Sequence, residues 1–222
     1  MQPFLAGGVS IALQKPNKGV RPFCCGDPIR RLVGKCFCIG GKNEISKEFH
    51  NKNFGVGCPG GVEVVAHSLR DALQVHGGSG MALLKIDFRN AFNLIDRDVF
   101  VKAACEMFPG LSQWTQWCYG NPSLLLFDHE HVFYSWCGVQ QGDPLGPLYF
   151  CCGLAALVTK IQQLGPVTTS GVWTMVGLLL ALMFLQKVWE LLRARRLVFT
   201  SILRSASGPG SIPIALHHVP PC

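Results

Sequence analysis

Charge is scarce in this 222-residue chain: Asp, Glu, Lys and Arg make up 15% of it, against 49% hydrophobic residues. That balance is apolar for a soluble protein, yet short of a wholly membrane-embedded one. Acid is scarcer still. After Asp143 there is no aspartate, and Glu190 is the only acidic residue before Cys222. Metal-ligand spacing is lacking too. The eleven cysteines include the adjacent pairs Cys24-Cys25 and Cys151-Cys152 and the tight Cys36-x-Cys38, but no C-x-x-C, so they do not support a zinc framework. The seven histidines, among them His129, His131, His217 and His218, fall at no ligand spacing. Between Met1 and Ser10 there is no charged stretch of the kind that opens a secretory signal. With an odd cysteine count, the expectation is reduced, mostly buried thiols in an intracellular compartment.

What is present is basic and unevenly placed. The formal net charge is +7, and residues 1–60 hold nine of the basic residues (Lys15, Lys18, Arg21, Arg30, Arg31, Lys35, Lys42, Lys47, Lys52) against Asp27, Glu44 and Glu48. Such a region can lie along a phosphate backbone, or be the solvated face of a small lobe. The patterning predicts a turn at 15–19 before a strand from Val20, and a helix through Val62, Val65, Ala66, Leu69, Ala72 and Leu73 after the glycine-rich 55–61. It predicts a strand over Ala82–Ile86, a helix over Asp98–Phe108 capped by Asp96, a hairpin of Ser123–Phe127 and Val132–Trp136, and a helix over 148–164. The order is mixed, which indicates an α+β domain with a small sheet.

Asp87 follows the apolar run Ala82–Ile86 directly. A carboxylate held at the end of a buried strand suits a hard cation, since magnesium takes one or two carboxylates plus substrate phosphates. Taken alone it fits better an aspartate that caps the next turn. Its neighbours decide between the two. The stretch Leu84-Lys85-Ile86-Asp87-Phe88-Arg89-Asn90-Ala91-Phe92-Asn93 resembles the first palm motif of retroelement reverse transcriptases. Gly138-Val139-Gln140-Gln141-Gly142-Asp143-Pro144-Leu145-Gly146-Pro147-Leu148 resembles their second palm motif, and Arg21-Pro22-Phe23 with Arg31-Leu32-Val33-Gly34-Lys35 resembles their fingers motif. The resemblance covers residues 10–164 and is nearest to non-LTR-type elements.

That resemblance implies a partial right-hand polymerase, fingers and palm, over 10–164. It implies that Asp87 binds catalytic Mg²⁺, that Phe92 is the steric gate under the sugar, and that Arg21 pairs with the incoming triphosphate. Gln141 and Gly142 become a loop against the nascent base pair, glycine allowing close approach of the backbone. The partners implied are an RNA or DNA template-primer and dNTPs. The residues read without the family leave Phe92 as a core aromatic, Arg21 as surface charge and Gln141-Gly142 as a plain turn.

The family's third palm motif, an aromatic residue, any residue and Asp-Asp, has no counterpart after Asp143. Two metal ions held close together need more carboxylate charge than Asp87 supplies, so the expectation is a catalytically inactive fragment with weak nucleic-acid binding. Residues 161–186 carry no charge, and Arg193, Arg195 and Arg196 follow. A spanning helix needs about 20 largely apolar residues, so 165–204 is expected as a hydrophobic helix. Its apolar part, 165–192, raises the alternative of a membrane-associated, non-enzymatic protein. The Gly-, Pro- and Ser-rich 205–222 is expected as a disordered tail. The codons offer a reason for the gap. Val172-Trp173-Thr174-Met175-Val176, back-translated and read one nucleotide earlier, yields NTG-GAC-NAT-GGT, which can spell Met-Asp-Asp-Gly.

Overall fold

The computed structural model of the chain describes residues 2–14, 19–50, 52–76, 81–86, 88, 90–128, 130–162, 178–184 and 214–217. Along it run α1 (Gln2–Leu5), β1 (Gly8–Gln14), β2 (Val20–Gly26), α2 (Pro28–Gly40), α3 (Lys42–Glu48), α4 (Gly61–His76) and β3 (Met81–Ile86). There follow α5 (Ala91–Leu94), α6 (Arg97–Met107), a 3-10 turn (Pro109–Leu111), α7 (Ser112–Tyr119), β4 (Ser123–Phe127), β5 (His131–Ser135), α8 (Gly146–Gln162), β6 (Leu178–Phe184) and β7 (Ile214–His217). They divide between two compact units, Met1–Lys42 with Asn90–Leu154, and Asn43–Arg89 with Ala155–Cys222.

The first unit is built on a four-stranded sheet in the order β2-β1-β4-β5. The β1–β2 hairpin pairs from Gly8↔Gly26 to Gln14↔Val20, β1 runs parallel to β4 from Gly8↔Leu125, and β4 turns back antiparallel into β5. Pro22 can sit in β2 because that strand is an edge, where its missing N–H breaks no ladder. Its helices start where the sequence supplies caps. Asp27 accepts from Ile29 N at 2.8 Å, with Pro28 in the first turn of α2, and Asp96 accepts from Asp98 N and Val99 N at the start of α6. On α6, Phe100 and Ala104 point inward at helical spacing. They meet α8 where Gly153 leaves room: a Cβ there would lie 2.5 Å from Ile95 Cδ1 and 3.0 Å from Phe100 Cβ. Tyr119, Tyr149, Phe108 and Leu145 complete a core that is fully enclosed.

The second unit carries α4 and a three-stranded sheet in the order β6-β3-β7, with both outer strands antiparallel to β3. Two of the expected segments are described in part. Of the segment 165–204 read as a hydrophobic helix, the described residues Leu178–Phe184 form a strand; of the tail 205–222 read as disordered, Ile214–His217 form one. The run Leu178-Leu179-Leu180-Ala181-Leu182-Met183-Phe184 is apolar at every position, and such a run has no period with which to separate a helix from a strand buried on both faces. No helix among the described residues is long and apolar enough to cross a membrane. The rest of 165–204 and of 205–222 lies outside the described residues. The thiols are less uniformly buried than expected: Cys24, Cys118, Cys151 and Cys152 are enclosed, whereas Cys36 and Cys137 are exposed.

Candidate functional site

In the first unit the chain between β5 and α8 forms a loop whose polar groups face almost entirely into protein. It begins at Gly138, with φ +69°, where a Cβ would lie 2.3 Å from Asn93 O and 2.5 Å from Phe92 O. Only glycine fits both that left-handed backbone and that approach. Gly138 N donates to Ile95 O at 3.1 Å and Val139 N to Phe92 O at 2.6 Å, so the loop is laced to α5 and the residue that follows it. Arg97, at the start of α6, holds the loop's entry: it donates to Ser135 O (2.7 Å), Ser135 Oγ (3.0 Å), Cys137 O (3.2 Å) and Gly138 O (3.1 Å). Burial lowers its pKa below the ordinary arginine value.

Gln140 turns inward. Its Nε2 donates to Ser123 Oγ (2.9 Å) and Ala6 O (3.2 Å), while its Oε1 accepts from Arg30 Nη1 (2.6 Å) and Cys24 Sγ (3.5 Å). Asp143 does the same. Its Oδ2 accepts from Arg30 Nη2 at 2.7 Å and from the Tyr119 hydroxyl at 2.6 Å, and its Oδ1 accepts from Leu145 N at 2.9 Å, just ahead of α8. The Arg30 and Asp143 side chains are 3% and 4% exposed, which is where a broken pair is costliest. The Tyr119 ring lies between two guanidiniums, with Arg30 Cζ 5.1 Å and Arg97 Cζ 5.2 Å from its centroid. Burial pushes the Tyr119 hydroxyl well above its usual pKa, and burial likewise raises the Cys24 thiol to about 11 and the Cys118 thiol to about 12. Burial works against the charge of Arg30, but Tyr119 and Asp143 outweigh it and raise its pKa.

Gln141 and Gly142 face the other way, onto β2. Cys24 N donates to Gln141 O at 2.7 Å, so the loop takes the free edge of that strand. Gly142 has φ +112°, and a Cβ on it would meet Cys24 O at 2.2 Å and the Phe23 ring at 3.1 Å. Gln141 Oε1 is buried and has no hydrogen-bond partner. A carbonyl oxygen shut away from water in that state has an unmet demand for a donor.

The residues singled out in the sequence are gathered only in part. Phe92 stands behind the loop, its carbonyl holding Val139 N and its half-buried ring stacked on Phe150 at 4.8 Å and 12°. Arg21 lies on β2 opposite Leu13, half-buried, on the same strand face as Phe23, whose ring reaches Gly142. Asp87 lies outside the described residues, so nothing relates it to the others. The sequence reading missed Arg30, Arg97 and Tyr119 and did not single out Gln140 or Asp143 as anchors. The signal for the last two was present, since both are letters of the second palm motif. Arg30 had a fainter one: it and Gly34 are one helical turn apart on the face of α2 where a Gly34 Cβ would rest 3.5 Å from Pro144. Chemically, Asp143 is the last aspartate of the chain and is committed to Arg30 and Tyr119. No group of three or more His, Cys, Asp or Glu side chains suited to a metal occurs among the described residues.

No family model matches the chain. It is 30% identical over 165 residues to the retrotransposable element SLACS 132 kDa protein of Trypanosoma brucei gambiense, an alignment that covers 69% of this chain and 13% of that protein. Among solved structures it is similar to Candida tropicalis telomerase in complex with a TWJ fragment of telomeric RNA (TM-score 0.62, 10% identity, 97% of this chain and 40% of that one). It is also similar to Candida albicans telomerase in the corresponding complex (TM-score 0.64, 15% identity, 92% and 40%) and to an apo Candida tropicalis telomerase lacking its C-terminal domain (TM-score 0.59, 11% identity, 91% and 48%). At such identities these last likenesses are of fold. The chain spans less than half the length of each telomerase chain and about an eighth of the retroelement protein.

Proposed function

The chain is related to a retrotransposable-element protein and has a reverse-transcriptase-like fold; from that premise we propose that it is a non-catalytic reverse-transcriptase fragment that keeps a nucleic-acid and nucleotide surface over residues 10–164. The observation that carries this reading is a mismatch between two places. The loop that would meet the nascent base pair is built in full and presents a buried, unpartnered acceptor at Gln141 Oε1. Among the described residues, the strand that leads to Asp87 is paired with no acidic one: Ile86 pairs with Leu178 on β6 and with Ile214 on β7, and neither strand contains Asp or Glu.

On this reading Gln141 accepts from a donor on the bound base or sugar, and Gly142 lets the backbone approach it. Arg21 pairs with phosphate oxygens as a bidentate donor, and Phe92 limits the space at the sugar. Basic residues of 1–60 other than Arg31 and Lys35 supply salt-dependent attraction for the nucleic-acid backbone. The family's Mg²⁺ fits poorly. Asp87 is a single carboxylate, Asp96 is spent on capping α6 and Asp143 on Arg30, whereas two ions at close range need several carboxylates against their mutual repulsion. No catalytic step is assigned through it.

The test is primer extension on an RNA template with Mg²⁺ or Mn²⁺, run beside anisotropy titrations of the same template-primer at two salt concentrations. The expected outcome is no incorporation above background, with binding that weakens steeply as salt rises. Incorporation that vanishes in Asp87→Ala overturns the inactive half of the reading. Binding that is absent at low salt, or indifferent to salt and to Arg21→Ala, overturns the other half.

A further inference from the structure

Helix α2 turns its aliphatic residues outward, and among the described residues nothing covers that face. Its inner face carries Arg30 and Gly34, both buried. On the outer face Ile29, Leu32 and Ile39 are 67%, 63% and 78% exposed, and Cys36 is exposed as well. These four are spaced by three, four and three residues, so they form one continuous stripe along the helix. A helix of thirteen residues is about 20 Å long, enough for some three to four turns of a partner. Arg31 and Lys35, both exposed, run along one side of the stripe, and from Pro28 to Gly40 there is no acidic residue. Asp27, just before the helix, is occupied with Ile29 N.

We propose that the outer face of α2 docks an amphipathic helix of a partner protein whose apolar stripe is flanked by carboxylates. Complementary charge selects this occupant. A second copy of the chain would set Arg31 and Lys35 against Arg31 and Lys35, a like-charge arrangement that disfavours pairing. A phosphate backbone would be matched by the two basic side chains, but the centre of the surface is aliphatic, with no aromatic ring on which a base could stack. Seated helices are read through anchors at this spacing. The surface is separate from the 138–143 loop, because Arg30 and the stripe leave the helix on opposite sides, so the two can be tested independently.

The experiment uses the whole 222-residue chain and two labelled helical peptides of about 20 residues, each with leucines at alternating three- and four-residue spacing. One flanks them with Glu and the other with Lys. Anisotropy titrations are expected to show the Glu peptide binding at least about tenfold more tightly than the Lys peptide. Leu32→Glu with Ile39→Glu should abolish that binding with the melting temperature unchanged, since both side chains are exposed. Arg31→Glu with Lys35→Glu should reverse the order of the two peptides. The proposal is overturned by equal affinity for both peptides, by no binding of either, or by binding that survives the Leu32/Ile39 pair. Displacement of the Glu peptide by a single-stranded RNA, with that RNA's own binding lost in the Leu32/Ile39 pair, would reassign the face to nucleic acid. Sedimentation showing a dimer that Leu32→Glu dissolves would reassign it to a second copy.

Discussion

The loop at 138–143 and the strand that leads to Asp87 belong to stretches that each resemble a motif of one family, and they differ in what supports them. Around the loop, seven segments of the chain converge. Ala6, Cys24, Arg30, the 92–95 turn, Arg97, Tyr119 and Ser123 each hold one of its atoms. At the end of β3 the described pairing partners are Leu178 and Ile214, both aliphatic. The lesson is that a motif's scaffold and its chemistry are separable. Buried hydrogen bonds keep the first in place for reasons of stability, and nothing in the packing of a strand demands the second.

The sharpest way to break that contrast is to remove Arg30. Arg30→Ala leaves the enclosed Asp143 carboxylate without its cation, held only by the Tyr119 hydroxyl and Leu145 N, and leaves Gln140 Oε1 with the Cys24 thiol alone; the expected cost is about 3–5 kcal/mol, read by urea or thermal unfolding. An unchanged melting temperature would mean the loop is no more committed than the β3 end. Next comes alkaline pH. Cys24 and Cys118, raised from 9.0 to about 11 and about 12, and Tyr119, raised above 10.0, all hold their protons more tightly folded than unfolded. The unfolded chain then carries fewer protons above pH 9, so stability is complete below pH 9 and is lost as pH rises from there through the folded values. Unfolding followed from pH 8 to 11 should show that decline, and Cys24→Ala with Cys118→Ala should move its midpoint upward. A flat profile would mean these thiols and the phenol are wet.

Gly142→Ala tests a smaller share of the same region. A φ of +112° and a carbonyl 2.2 Å from the new Cβ lead us to expect a loss of about 1–3 kcal/mol, together with weaker template binding in the titrations above. Gly110, where a Cβ meets nothing within 4 Å, is the matching control. The least of the set is Asp96→Ala, expected at about 1 kcal/mol from the lost cap, which shows how much the capping of the helix that carries Arg97 contributes.

Several elements were legible because each announces itself locally. The Asp96 cap, the 123–135 hairpin, the strand before Asp87 and the helix after the 55–61 glycines all appear close to where the pattern put them. Helix α2 was not read as one. Its core-facing residues are Arg30 and Gly34, which no hydrophobic pattern marks as inner, while its aliphatic residues point outward. Helix α7 hid for a related reason, with Trp114 and Trp117 stacked on each other at 5.0 Å and Thr115 among its buried positions. Within the site, Gln141 and Gly142 could be named from the motif. That Gln140 and Asp143 anchor it depends on Ala6 and Arg30, more than a hundred residues away, and separation of that kind leaves no trace in spacing. The gap after Asp143 has its own check in the codons: if Thr174 does not end in G, or stop codons interrupt the shifted frame, the slipped-frame explanation fails.

The parallel pairing of β1 with β4 also sets an order of events during synthesis. β1 can close on β2 as soon as residue 26 has been made, but its other edge waits for Leu125, Leu126 and Phe127. At about 5–20 residues per second, the interval between Gly8 and Leu125 leaving the ribosome's active centre is on the order of ten seconds. Throughout that time both edges of the β1–β2 hairpin are open, since that of β2 waits for Gln141, and Val9, Ile11 and Leu13 are still exposed in the finished fold. Nascent chains arrested before residue 123 should therefore be the ones that recruit holding chaperones, and chains arrested well past residue 135 should release them.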